Sequence, residues 1–185
     1  MGNIYRDEVI RVAAGEVGYL EKASNADLDS KTGNPGTGNW TKYARDLWDA
    51  DPHFYQGPKN GYEWCAIFVD WCVYEAAGRD SRRAQNALYY TGPYGAGCGM
   101  SVSYYKAAGA WHTSPRPGDQ IFFGTADSVR HTGLVEKVEN GKVHHRGKQQ
   151  QHGTAPELCA DGWFHPRLRP PGLRRRQQTC CDSVC

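Results

Sequence analysis

The sequence predicts an α+β domain, with helices in its first part and an antiparallel β-sheet after them. Three observations carry this. Apolar residues recur at helical spacing in several segments before Pro115, most densely in "WCAIFVDWCVYEAAG". Beyond Pro115 the period changes to two, and "RHTGLVEKV" alternates as a half-buried strand does. "ENGK" then supplies an Asn-Gly pair, the tight turn that joins two antiparallel strands.

The first helix falls in "NIYRDEVIRVAAGEVGY". Ile4, Val9, Ile10, Val12, Ala13 and Val17 are its apolar positions, Asn3 its N-cap, and Gly15 and Gly18 its stop. "KASNADLDSKTGNPGTGN" is rich in turn formers and reads as a loop. "WTKYARDLWDA" is a second, short helix, and "DPHFYQGPKNGYE" a second loop. The helix over "WCAIFVDWCVYEAAG" runs for about four turns and closes on Gly78 at the C′ position. It is apolar nearly all the way round, which places it at the centre of the domain. Residues 79–100 read as polar, glycine-rich chain, and "SVSYYKAAGAW" as another short helix. "PRPGDQIFF" is a turn leading into a strand, and no internal repeat is present.

At 185 residues the chain is long enough for one domain with a sizeable core. Apolar residues make up 39% and charged residues 23%, the balance of a globular protein. No apolar run reaches the roughly 18 residues of a membrane span. The N-terminus lacks a basic stretch followed by an apolar one and does not read as a secretory signal. Seven cysteines are an odd number, so at least one is free or intermolecular, and a full disulfide framework is not expected. The net charge of +2 hides an asymmetry. From His144 onward seven Lys and Arg face three Asp and Glu, a balance of +4, which leaves −2 for the first 143 residues.

Cys65 stands at the first turn of the central helix. A thiol acts as a nucleophile only as thiolate, and a helix N-terminus or a nearby histidine lowers its pKa from about 8.5 to well below 7. Free cysteine is also a common core residue, so position alone leaves both readings open. Cys72 lies two turns deeper and reads as packing. A nucleophilic Cys65 needs an imidazole partner. Among the seven histidines His131 is best placed, at the start of a strand just after "PRPGDQIFF"; His53 and His112 sit in loops. Nothing resembles C-x-x-C or H-E-x-x-H, so no zinc site is expected.

"NWTKYARDLW", "GPKNGYEWCAIFVDWC", "SVSYYKAAGAW", "PRPGDQIFFG" and "RHTGLVEKVENGKV", in this order, resemble the CHAP domain, the cysteine- and histidine-dependent amidohydrolase/peptidase family. The resemblance covers residues 3–143. It implies a papain-like fold, with the catalytic-cysteine helix packed on an antiparallel β-sheet that carries the histidine. Cys65 would be the nucleophile and His131 the general base, then acid, of an acyl-enzyme route. The Cys65 backbone N–H is a natural oxyanion donor. Members of the family cleave peptidoglycan, at the N-acetylmuramoyl–L-alanine amide or within the peptides, and many are phage or prophage lysins. The resemblance thus implies a monomer made in a bacterial or phage-infected cytoplasm without a signal peptide, acting on the cell wall without a cofactor. A catalytically impaired wall-binding module is the alternative, and a nucleic-acid partner is not expected.

The chain departs from the family after residue 143. The family's third catalytic residue is an acid in the strand that follows the histidine, within Tyr-Thr-x-Glu-Gly-Asn. Here "VHHRGKQQQHG" stands instead, and there is no acid between Asn140 and Glu157. Reading the last two bases of each codon with the first of the next, from Val143 on, lets "VHHRGK" encode Tyr-Thr-Ile-Glu-Gly. "FHPRLRPP" likewise permits Ser-Ile-Leu-Gly-Tyr-Gly-Arg. The sequence therefore reads as a domain over residues 1–143 whose C-terminal strands are lost, and an aberrant basic tail over 144–185 produced by a reading-frame slip. A divergent but genuine tail is the alternative.

Two further features need weighing. Asp27 and Asp29 alternate in the first loop and are candidate calcium ligands, since some relatives bind calcium in this region; a solvated turn is the simpler reading. Trp64, beside Cys65, is either a core aromatic or a wall of the substrate groove.

Overall fold

The computed structural model describes residues 4–92, 95–125 and 128–147, and the backbone of 163–164. Five helices precede the sheet among these residues: α1 (Arg6–Gly15), α2 (Lys42–Ala50), α3 (Cys65–Ala76), α4 (Ser81–Ala87) and α5 (Cys98–Ala107). Five strands follow: β1 (Trp111–His112), β2 (Gln120–Thr125), β3 (Ser128–Glu139), β4 (Lys142–Gly147) and β5 (Trp163–Phe164). They form one antiparallel sheet in the order β1-β5-β2-β3-β4. The architecture is α+β, as the change of period implies.

Every residue of α3 from Cys65 to Tyr74 is buried, and only Glu75 and Ala76 in its last turn are partly exposed. α1, α2, α4 and β3 pack around it. Each buried Ile, Val or Phe side chain contributes roughly 1.5–3 kcal/mol, so Ile67, Phe68, Val69 and Val73 make α3 a large source of stability. Its C-terminus ends as the sequence predicts. Gly78 takes a positive φ, its N–H bonds to Glu75 O (2.9 Å), and Arg79 N–H reaches back to Tyr74 O (3.0 Å). These two bonds satisfy carbonyls that the helix itself leaves open. Tyr43 of α2 fastens the neighbouring layer. Its ring contacts Tyr19, Trp64, Phe68 and Trp71, and its hydroxyl donates to Glu16 Oε2 (3.0 Å). α2 itself starts on Thr41, whose side chain accepts from Ala44 N (3.2 Å).

Four expectations change. α1 begins at Arg6 with Tyr5 as N-cap and without a side-chain cap bond, while Asn3 lies outside the described residues. The glycine-rich stretch contains a helix, α4, because Asp80 accepts from Arg83 N (3.0 Å) and supplies its cap. The next helix starts three residues earlier than its apolar pattern suggests, at Cys98, and stops at Ala107; Gly109 turns the chain at positive φ, and Trp111 enters β1. The sheet also crosses residue 143. β4 extends to Gly147, and Trp163–Phe164 pair with β1 and β2. The rest of the tail lies outside the described residues.

"PRPGD" sets the start of β2. Gly118 N–H bonds to Val135 O and Asp119 O accepts from Val135 N, both at 2.8 Å. The Asp119 carboxylate accepts from Arg116 N (2.7 Å) and lies 3.4 Å from Arg6 of α1. Gly118 has φ +86, and a Cβ there would stand 2.6 Å from the Arg6 Cβ. Gly118→Ala is therefore expected to cost about 1–3 kcal/mol, read as a lowered midpoint in chemical denaturation.

One carboxyl lies inside the core. Asp70 of α3 accepts from Tyr55 Oη (2.5 Å) and from Tyr90 Oη, and its Oδ1 has no partner among the described residues. Burial pushes its pKa up from 3.8 to about 7, against the lowering effect of the two tyrosine bonds. The folded chain thus holds a proton that the unfolded chain releases near pH 4, so this group's contribution to stability declines as pH rises from about 4 to about 7. Asp70→Asn is expected to flatten that slope, measured by urea denaturation at pH 4, 5.5 and 7.

Candidate active site

Cys65 is the first residue of α3 and is 5% exposed. Trp64, the N-cap, provides no side-chain cap bond, so no side chain of its own takes up the amides of the first turn. Two elements meet the thiol there. Cys98, the first residue of α5, places its Sγ 3.5 Å from Cys65 Sγ. β3 brings the imidazole of His131 and the backbone N–H of Thr132 within hydrogen-bonding reach. The bond from the Cys98 thiol is the largest influence on Cys65; the bond and charge of His131 and the Thr132 N–H add to it. Together they outweigh burial and bring the Cys65 pKa down from 9.0 to about 5. Cys98 moves the other way, well above its ordinary value, because it keeps the shared proton beside an anion. Cys72 is fully buried, which raises its pKa and leaves it inert.

His131 is held from two sides. Its register partner Phe123 of β2 stacks on it, with ring centroids 5.6 Å apart and planes 26° apart. A bulge between Phe123 and Gly124 follows, where a register shift re-aims side chains. On the other side β4 contributes His145, whose ring lies 4.7 Å from that of Phe123. Burial, then the charge of His131, lowers the pKa of His145, and its Nδ1 is buried without a partner among the described residues. Two residues further on stands Gly147. A Cβ at this position would lie 3.5 Å from His131 Nε2. The strand position that faces the outer nitrogen of the imidazole therefore carries no side chain. Glu136, the acid of β3 near this point, is engaged by Arg146.

The sequence singles out Cys65 and His131, and the fold brings them together. Cys98 and His145 escape it, one in a glycine-rich stretch and the other in a polar run. Counting from the Asn-Gly turn does not find His145 either, since even pairing puts it opposite Glu136 and a bulge between Val135 and Lys137 moves it opposite Val135. Trp64 takes its core alternative: it is 5% exposed, packs on Tyr43 and Phe68, and donates to Glu21 Oε2 (2.6 Å). It presents no open face to a groove. Asp29 gives both carboxylate oxygens to Arg45, at 2.8 and 2.6 Å, so its carboxylate is paired with a guanidinium. No group of three or more His, Cys, Asp or Glu among the described residues has metal-binding geometry.

A thiolate at the start of a buried helix, facing an imidazole on an antiparallel sheet, defines the papain-like class of cysteine hydrolases. The family model of the CHAP domain matches residues 57–148, from the loop before Cys65 to the end of β4, and the chain carries a CHAP domain. With it comes the family's amidohydrolase and peptidase type of chemistry, directed at peptidoglycan. No curated protein and no solved structure matches the chain. No helix among the described residues is long and apolar enough to cross a membrane.

The site predicts its own thiol chemistry. Iodoacetamide is expected to label Cys65 with a midpoint near pH 5 and to spare Cys72, read by peptide mass mapping. Cys98→Ala is expected to move the Cys65 midpoint upward, since the largest stabilising bond to the thiolate is then gone.

Proposed function

We propose that the chain hydrolyses an amide bond of peptidoglycan by cysteine nucleophilic catalysis, in the manner of a lysin. The juxtaposition of Cys65 with His131 and Cys98 carries this reading. The Cys65 thiolate attacks the amide carbonyl. The oxyanion forms at the start of α3, where the Cys65 backbone N–H is a ready donor. His131 gives its proton to the departing amine, leaving an acyl-enzyme, and then takes one from the water that attacks it. The scissile bond is the N-acetylmuramoyl–L-alanine amide or a peptide bond of the stem or bridge.

A second reading has its own observation. Gly147 faces His131 Nε2, so no side chain from this position orients the imidazole. A catalytically impaired module that keeps the fold and still binds the wall fits this. The reading-frame slip near Val143 would account for it, by replacing the strand that carries the family's acid.

The test is to incubate purified Gram-positive peptidoglycan with four proteins: the chain, Cys65→Ala, Gly147→Glu, and a version read in the shifted frame beyond Val143. Turbidity and newly released amino groups are followed together. Release by the chain but not by Cys65→Ala is the expected result, and release by neither, with wall binding retained, would favour the module. Gly147→Glu is expected to raise turnover by about tenfold or more, the scale on which an orienting acid acts on an imidazole. A Cβ there would stand 3.0 Å from Thr132 O and 3.3 Å from Gly133 Cα, so the gain requires β4 to move by a few tenths of an ångström.

A further inference from the structure

The reaction needs one thiol, and the site holds two. Cys65 and Cys98 begin α3 and α5, and their sulfurs stand 3.5 Å apart. A disulfide would hold them at about 2.05 Å, so closure needs an approach of about 1.5 Å, within reach of side-chain rotation at two helix starts. A hydroxyl at position 98 would hydrogen bond to a thiolate as well, and it could not be oxidised. Cys72 is excluded from such a role by its place in the core.

We propose that Cys98 is the resolving thiol of Cys65, so that peroxide converts the pair to a reversible disulfide that switches the nucleophile off. In the first step the Cys65 thiolate attacks hydrogen peroxide. An S–O bond forms, the O–O bond breaks, and hydroxide leaves and takes up the proton that Cys65 released on ionising, giving the sulfenic acid and one water. In the second step the sulfur of Cys98 attacks that of Cys65. The S–S bond forms, the S–O bond breaks, and water leaves with the proton of the Cys98 thiol. Two electrons pass from the two sulfurs to one peroxide, which ends as two waters. A dithiol reductant reverses the outcome by exchange. Without Cys98 the sulfenic acid proceeds to sulfinic acid, which thiols do not reduce.

The effect on turnover rests on the hydrolase reading; the disulfide does not, and the two are measured separately. The full chain and its Cys98→Ser variant are treated with hydrogen peroxide, quenched with N-ethylmaleimide, digested without reductant and mapped by mass spectrometry. Peptidoglycan hydrolysis is assayed before treatment, after it, and after dithiothreitol, each protein against its own untreated activity. The expected result is a Cys65–Cys98 cross-linked peptide in the parent, with activity lost on oxidation and regained on reduction. In Cys98→Ser, Cys65 carries two added oxygens and the loss persists. The proposal is overturned if Cys65 becomes sulfinic in the parent while Cys98 stays alkylatable. It is equally overturned if Cys65 pairs with Cys159, Cys180, Cys181 or Cys185, or if Cys98→Ser recovers as fully as the parent. A parent without hydrolytic activity in any state would sink the hydrolase reading, and the mapped linkage would still decide the role of Cys98.

Discussion

The burial of α3 on all sides from Cys65 to Tyr74 is the constraint from which the rest follows. A helix with an open face can shift or tilt against its neighbours; one enclosed by α1, α2, α4 and β3 cannot move without opening voids on every side. Its first residue is therefore a fixed point, and Cys65 is that residue. The arrangement explains why an almost unbroken apolar run follows the thiol. The apolar residues anchor a reactive atom, and the enclosing layers limit its approach to one end of the helix.

Fixing a thiolate in so closed a place has an electrostatic cost, and the surroundings are arranged to meet it. A thiol donor, an imidazole and a backbone amide converge on the sulfur from two different elements. The nearest acid along the same helix, Asp70, lies just over a turn further in and would oppose an anion at Cys65 if it were ionised. Burial brings its ionisation up towards neutrality, against the two tyrosine hydrogen bonds, and this softens that opposition. Charge is thus concentrated at the mouth of α3 and kept low along its interior, the distribution an anionic nucleophile needs.

Much of this was legible in the sequence, and the failures have physical causes. α3 could be read because an all-round apolar pattern has one common meaning, and the hairpin because Asn140 and Gly141 both adopt the positive φ that its turn demands. α4 was missed because its stability comes from a single cap and a few small buried residues, Ala84 and Ala87 among them, which leave no periodic signature. The start of α5 was placed late because Gly-Cys-Gly looks like loop chain. β1 is two residues long and exists through its pairing with Trp163 and Phe164, a contact across some fifty residues that no local pattern encodes. Cys98 belongs to the same kind of failure. Its meaning comes from where α5 begins relative to α3, and that is a property of packing.

The hairpin between β3 and β4 also governs how this region can change. Asn140 and Gly141 turn the chain in two residues, and pairing then fixes Val143 against Val138, His145 against Val135 and Gly147 against Gly133. Whatever residue occupies the seventh place after Asn140 is delivered to the outer nitrogen of His131, whatever its chemistry. The sheet is in this sense indifferent to spelling and strict about counting. Substitutions along β4 exchange one neighbour of the imidazole for another, while a single inserted or deleted residue would turn every following side chain to the opposite face unless a bulge such as that between Val135 and Lys137 took it up. The neighbourhood of the histidine can thus be revised one residue at a time without rebuilding the strand, whereas a change in length reaches it only by adding or removing a bulge.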